Sequence, residues 1–149
     1  MSMSFNQLKA GILGNIASSC WFLPLGANVL HYLRGVQMKR PFSVYFARDV
    51  IIDNRFPGEI SIGANCIFAP RSVVMAHASI PVGNRMTALD EIVKPVVVGD
   101  NVFVGANAII LPGSVLGDGC FVAAGSVVLG HFLPNTLIAG NPARPKRSL

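Results

Sequence analysis

The sequence predicts a mainly β fold, a parallel β-solenoid of six-residue units, and two observations carry that prediction. From Val98 to Leu133 the chain reads VGDNVF, VGANAI, ILPGSV, LGDGCF, VAAGSV and VLGHFL, with an aliphatic residue opening every unit at Val98, Val104, Ile110, Leu116, Val122 and Val128. Four places later stands a small or β-compatible residue, at Val102, Ala108, Ser114, Cys120 and Ser126. A short fixed period of this kind belongs to solenoids, in which a unit buries its apolar residue only by stacking on a neighbour. A helix would instead need apolar positions three and four apart. Plain strand alternation leaves no place for the recurrent glycine corners at 63, 99, 105, 113, 117 and 119. Each unit is therefore a short strand and a tight corner. Coils stack as parallel strands about 4.8 Å apart, and three faces per turn need about eighteen residues.

The same phase extends upstream through FARDVI from Phe46, IDNRFP from Ile52, IGANCI from Ile62, FAPRSV from Phe68 and VMAHAS from Val74, with GEIS inserted after the second unit. Between Ser79 and Val98 the rhythm is lost and then returns in register. Residues 79–97, with two prolines and most of the central charges, read as a loop thrown out of the coil. Long ordered loops on a rigid scaffold often carry function. The first forty residues differ in kind, since Ala10 to Leu33 contains no Asp, Glu, Lys or Arg and is mostly apolar. Pro24 would break a single helix there, so two short helices are expected, about Phe5–Phe22 and Leu25–Arg34, packed on the end of the coil. Asn15, Ser18, Ser19 and Asn28 argue against a spanning segment, while the apolar stretch leaves a peripheral role at a membrane surface open. The expected organisation is a helical segment at 1–40, a coil at 41–143 and a basic tail at 144–149.

With 149 residues, 52% hydrophobic and 13% charged, the chain is one domain with apolar surface to spare for burial between subunits. The net charge of +5 gathers at Arg144, Lys146 and Arg147 rather than in a broad stripe with interleaved aromatics, which speaks against nucleic acid. Two readings of that tail stay open, a solvated terminus and a site for one compact phosphate-bearing ligand. Cys20, Cys66 and Cys120 have neither metal nor disulfide spacing, so a cytoplasmic setting is the default.

The run from Val98 to Val128 followed by LPNTLIAGNPARPKR resembles the hexapeptide-repeat acetyltransferases, and within them the galactoside, maltose and surface-polysaccharide O-acetyltransferases. The resemblance covers about Phe46 to Arg147 and is most specific at NT-x-x-AGNPA. It implies a left-handed parallel β-helix, a homotrimer with active sites between subunits, acetyl-coenzyme A as donor, a sugar or glycan hydroxyl as acceptor and no metal. It also implies that His77, at the end of the segment before the extruded loop, is the general base. An imidazole suits that task, because the attacking hydroxyl must lose a proton near neutral pH. The Ala106 N–H is then a donor to the developing oxyanion. Gly105, Ala123 and Ala124 would lie along the pantetheine arm, and Arg144, Lys146 and Arg147 near the coenzyme A phosphates. Solenoid corners need small residues in any case, so a purely structural reading of 105–106 and 123–125 stays open.

On the acceptor side, the resemblance implies a polar side chain one coil before the histidine that holds the sugar or orients the base, and Asp53 and Asn54 lie there. Arg85, Asp90 and Glu91 in the loop are within reach of a neighbouring subunit's cleft. Leu129-Gly130 stands where similar enzymes show a Thr-Lys pair. His31 and His131 read as structural and surface residues, and Asp100 and Asp118 as corner residues bonding their own backbone. The expected reaction is direct O-acetylation with no acyl-enzyme. N-acetylation of an amino sugar and a non-catalytic scaffold are the alternatives. A metal-dependent hydratase falls on ligand count, since only His77 and His131 lie in the coil. The apolar amino-terminal segment admits an acceptor held at the inner face of a membrane.

Overall fold

The structure, a computed structural model, describes residues 5–19, 26–82 and 85–149, with side chains described for 8–18, 26–79 and 90–149. Short strands pair in parallel into three sheets of five, five and four strands, the three faces of a coil, and one antiparallel strand, Ala143–Ser148, adds a sixth to the second. The first face stacks Gln37–Met38, Ile60–Ile62, Val96–Val98, Val115–Leu116 and His131–Phe132. The second stacks Tyr45–Phe46, Ile67–Phe68, Phe103–Val104, Phe121–Val122 and Thr136–Gly140. The third stacks Ile51–Ile52, Val73–Val74, Ile109–Ile110 and Val127–Val128.

The residues that open the sequence units fall into register. Phe46, Phe68, Val104, Val122 and Ile138 form one buried column. Ile52, Val74, Ile110 and Val128 form another. The small positions Val102, Ala108, Ser114, Cys120 and Ser126 are buried as well, filling the corners of the triangle. The corners themselves are set by close stacking. A Cβ on Gly105 would lie 2.5 Å from the Ala124 nitrogen of the next coil, nearer than any carbon can stand, so only glycine lets those turns nest.

Several expectations need correction. The coil begins at Gln37, four residues ahead of the expected boundary. Residues 144–148 are no free tail, because Ala143–Ser148 turns back antiparallel on Thr136–Gly140 and covers the last edge of the second face. The extruded segment is a β-hairpin, His77–Val82 against Arg85–Val93, with His77 opposite Val93 and Ser79 opposite Glu91. Asp100 and Asp118 bond neighbouring coils rather than their own turns. Asp118 Oδ1 accepts the Asp100 N–H at 2.7 Å and Asp100 Oδ1 accepts the Ala64 N–H at 2.9 Å.

Two helices close the open start of the coil, α1 at Phe5–Ser19 and α2 at Gly26–Leu33. The expected helix ends at Phe22 and Leu25, and Cys20, lie outside the described residues. On α2 the buried Asn28 donates to the carbonyls of Pro41 and Val44, and the His31 ring meets Phe46 at 4.8 Å. Among the described residues no helix is long and apolar enough to cross a membrane.

Ile110, fully buried between Val74 and Val128, tests the column directly. Ile110→Ala is expected to cost about 2–5 kcal/mol in urea unfolding, and Ile109→Ala, whose side chain is only half-buried, less than half of that.

Candidate active site

The chain leaves the coil at Ala76, at the corner between the third and first faces. One coil beneath, Ile52 pairs with Val74, and the Asp53 N–H donates to the Val74 carbonyl at 2.8 Å. Asp53 is therefore carried to the foot of the hairpin. Its side chain is fully buried, whereas that of His77 keeps 16% of its surface in solvent. Asp53 Oδ2 lies 2.5 Å from His77 Nδ1 and accepts the backbone N–H groups of Ala76 and His77 at 2.9 and 3.1 Å. Its Oδ1 accepts the N–H groups of Arg55 and Phe56 at 2.8 and 3.1 Å, folding the chain into a tight turn. Burial alone would raise the Asp53 pKa. The hydrogen bonds from His77, Arg55, Phe56 and Ala76 outweigh it and hold the carboxyl below its usual range.

An ionised carboxylate only accepts hydrogen bonds, so the His77 Nδ1 beside it carries the proton and Nε2 presents a lone pair. The turn after Asp53 also sets the Phe56 ring 5.4 Å from the imidazole. The Arg55 guanidinium stands 5.4 Å from the centre of the Phe56 ring and pairs with Glu91 of the hairpin. One carboxylate and the turn it caps thus hold the His77 ring, set the Phe56 ring beside it and place Arg55 against the hairpin.

Of the two open roles for Asp53, the geometry leaves orientation of the histidine. With no exposed surface and both oxygens saturated, it has nothing to offer a sugar. Asn54 is likewise engaged within the chain, its Oδ1 accepting from Arg34 at 3.1 Å and its Nδ2 donating to Asn15 Oδ1 at 3.3 Å. Glu91 is engaged within its own chain by Arg55. Arg85 opens the second hairpin strand, and its side chain lies outside those described.

The remaining predicted residues gather elsewhere. Gly105 and Ala106 form the corner between the second and third faces, and Ala123 and Ala124 form the same corner one coil later. The Ala106 carbonyl accepts the Gly125 N–H at 2.9 Å, and among the described residues no protein acceptor takes the Ala106 N–H. The side of Gly105 where a Cβ would stand is filled by the backbone of the next coil at Val122, Ala123 and Ala124. Arg144, Lys146 and Arg147 are exposed on the returning strand, with no carboxylate partner among the described residues. The third face separates these corners from His77 within one chain.

Sequence reasoning missed Arg34, while His31, read as structural, is buried beside it. Arg34 is 6% exposed and donates through Nη1 to the Asp53 carbonyl at 2.8 Å, through Nη2 to the Ile52 carbonyl at 2.8 Å and through Nε to His31 Nδ1 at 2.9 Å. Burial lowers the Arg34 pKa to about 10, against the opposing pull of Asp53. Burial, with the Arg34 charge, lowers that of His31 from 6.5 to about 3. The available signal was the first charge after a long uncharged stretch.

Residues 95–130 match the bacterial transferase hexapeptide family of six repeats. The galactoside O-acetyltransferase of Escherichia coli is 29% identical over 139 residues, 93% of this chain and 65% of that protein. A 2,3,4,5-tetrahydropyridine-2,6-dicarboxylate N-acetyltransferase of Halalkalibacterium halodurans is 44% identical over 84 residues, 56% of this chain and 31% of its own length. In fold, a hexapeptide-repeat-containing acetyltransferase of Vibrio cholerae in complex with acetyl-coenzyme A superposes with a TM-score of 0.72 at 24% identity, covering 97% of this chain and 87% of that one. The chain carries hexapeptide repeats over residues 95–130 and has the left-handed parallel β-helix fold. Its resemblance to the hexapeptide-repeat acetyltransferases holds in both sequence and architecture. It spans between 31% and 65% of the length of the curated relatives it matches.

The depressed pKa values give stability a definite sign with pH. The unfolded chain protonates His31 below 6.5, whereas the folded chain does so only near 3, so acidification across that window favours unfolding. Asp53 acts in the same direction, its contribution present above the unfolded carboxyl value of about 3.9 and lost as pH falls through the lower folded value. His31→Gln keeps an acceptor for Arg34 without the titration. Urea unfolding from neutral pH down to pH 4 is expected to show a shallower loss of stability in this variant, by up to about 1.4 kcal/mol per pH unit.

Proposed function

We propose that this protein transfers an acetyl group from acetyl-coenzyme A to a hydroxyl of a sugar or glycan, with His77 as general base. The observation that carries the reading is the His77 ring locked on a buried carboxylate at the foot of an extruded hairpin. His77 Nε2 takes the hydroxyl proton as the oxygen attacks the thioester carbonyl. The resulting oxyanion is stabilised by a backbone donor, for which the Ala106 N–H is the candidate. The carbon–sulfur bond then breaks and the imidazolium returns its proton to the departing thiolate. No acyl-enzyme forms in this sequence.

Acetyl-coenzyme A is the expected co-substrate, its pantetheine arm along Gly105, Ala106, Ala123 and Ala124 and its phosphates near Arg144, Lys146 and Arg147. Those groups stand at a different corner from His77. An active site that unites them is therefore completed by a second copy, which favours a homotrimer with sites between subunits. Support for acetyl transfer comes from the relatives, which include a galactoside O-acetyltransferase. The matching N-acetyltransferase supports a second reading, attack by an amine assisted by the same base.

Coenzyme A release from acetyl-coenzyme A with a panel of hydroxyl and amino sugars separates the two readings. His77→Ala is expected to lower kcat by about 10²–10⁴ and Asp53→Asn by a smaller factor, both in folded protein. Transfer that survives His77→Ala would remove it as the base. Arg144→Ala and Arg147→Ala are expected to raise KM for acetyl-coenzyme A with kcat unchanged, the difference shrinking as salt is added. An unchanged KM would return the returning strand to a purely structural role.

A further inference from the structure

We infer that Arg34 is a positioning residue for the His77–Asp53 pair, so that the amino-terminal helical segment forms part of the active site. The inference rests on the reading of His77 as general base. Arg34 follows α2 directly and is nearly inaccessible. A buried guanidinium ordinarily seeks a carboxylate in bidentate geometry. This one spends its donors on the backbone that carries a carboxylate, taking the carbonyls of Ile52 and Asp53 at 2.8 Å each and the Asn54 side chain at 3.1 Å. Its Nε is held by His31, so the fork does not rotate. The bonded carbonyls flank the residue whose side chain reaches His77, so the place of the Asp53 carboxylate follows from the place of Arg34.

A second feature points the same way. α1 crosses this cluster at Gly14, where a Cβ would lie 2.0 Å from Asn54 Oδ1 and 3.0 Å from Arg34 Nη1. Both helices are thus fitted around the guanidinium. The charged and titratable groups about the pair come from each packed element. They are Arg34 and His31 behind Asp53, and Arg55 with its partner Glu91 beside His77. Of these, Arg34 alone is tied to the Asp53 main-chain carbonyl.

The ring of His77 reports on this without any acceptor. Nitrogen-15 imidazole spectra of the full chain, with His77 assigned by its loss in His77→Ala, show which nitrogen holds the proton and how the ring titrates. In the native protein the Nδ1–H form is expected to dominate. Arg34→Met and Asp53→Asn are expected to yield mixed tautomers in protein that is folded by circular dichroism. Gly14→Ala, which crowds the cluster and keeps the guanidinium, is expected to shift the ring in the same direction by a smaller amount. With acetyl-coenzyme A and the best acceptor of the sugar panel, Arg34→Met is expected to lower kcat by about tenfold to a hundredfold with KM for acetyl-coenzyme A unchanged. The Arg34→Met/Asp53→Asn double variant is expected to lose little more than Asp53→Asn alone.

A folded Arg34→Met with the native His77 tautomer and pH profile overturns the inference, as do additive effects in the double variant. If Arg34→Met does not fold, Arg34→Lys and Gly14→Ala decide by the same spectra, and a native His77 signal in both overturns it. Transfer that persists in His77→Ala overturns the base reading instead, a result distinct from any of these.

Discussion

Strands stacked at about 4.8 Å bury their inward aliphatics only if every coil returns to the same columns, and the rest of this structure follows from that demand. Corners have no room to vary. A Cβ on Gly99 would meet the Asp118 nitrogen at 2.7 Å, and one on Gly117 the Pro134 nitrogen at 2.5 Å. Even the polar corner residues serve the stack, with Asp118 and Asp100 passing hydrogen bonds from coil to coil. A regular solenoid of this kind is stable and chemically bare, since its inward side chains are apolar and its corners small. Chemistry enters where the repeat is interrupted.

Two of those interruptions meet at one corner. The hairpin departs at His77, and one coil below the GEIS insertion begins five residues after Asp53. The longer corner beneath leaves room for a turn that points Asp53 upward rather than continuing the coil. Five donors then converge on that carboxylate, and burial without them would favour its neutral form. The hydrogen bonds keep it charged in a buried place, which is what an imidazole needs to hold one tautomer.

The columns were legible because the six-residue beat is a direct image of the stacking, and Phe46, Ile52, Ile62, Phe68 and Val74 could be placed before any coordinates. His77 was singled out by the resemblance, at the point where the rhythm is lost. Its partner was not settled, because the insertion after Pro57 obscures how one coil lies over the next, so Asp53 and Asn54 could not be told apart in role. Ile52 and Val74 do share a phase, and in that frame Asp53 immediately follows the column residue beneath the hairpin's exit. Arg34 was beyond reach. Its acceptors are main-chain carbonyls, which leave no trace in side-chain identity, and they lie eighteen and nineteen positions away. Gly14 reads as an ordinary glycine in an apolar helix until the helix is set against Asn54.

The charge states around the corner also account for why a buried arginine is tolerable there. With His77 neutral, the Asp53 carboxylate and the Arg34 guanidinium sum to zero in a poorly hydrated place. On the proposed reaction the imidazole gains a proton while the attacked carbonyl oxygen becomes an anion. The added positive and negative charges arise together, so the local sum stays at zero from the bound complex to the tetrahedral intermediate. Without Arg34, the charge of the buried carboxylate would rest on its five hydrogen bonds alone, against a burial that favours the protonated form. A protonated Asp53 could donate to Nδ1, turning the ring's proton to Nε2 and removing the lone pair that must accept the hydroxyl proton. On this reading Arg34 favours the His77 tautomer with a free Nε2 through the carboxylate in front of it.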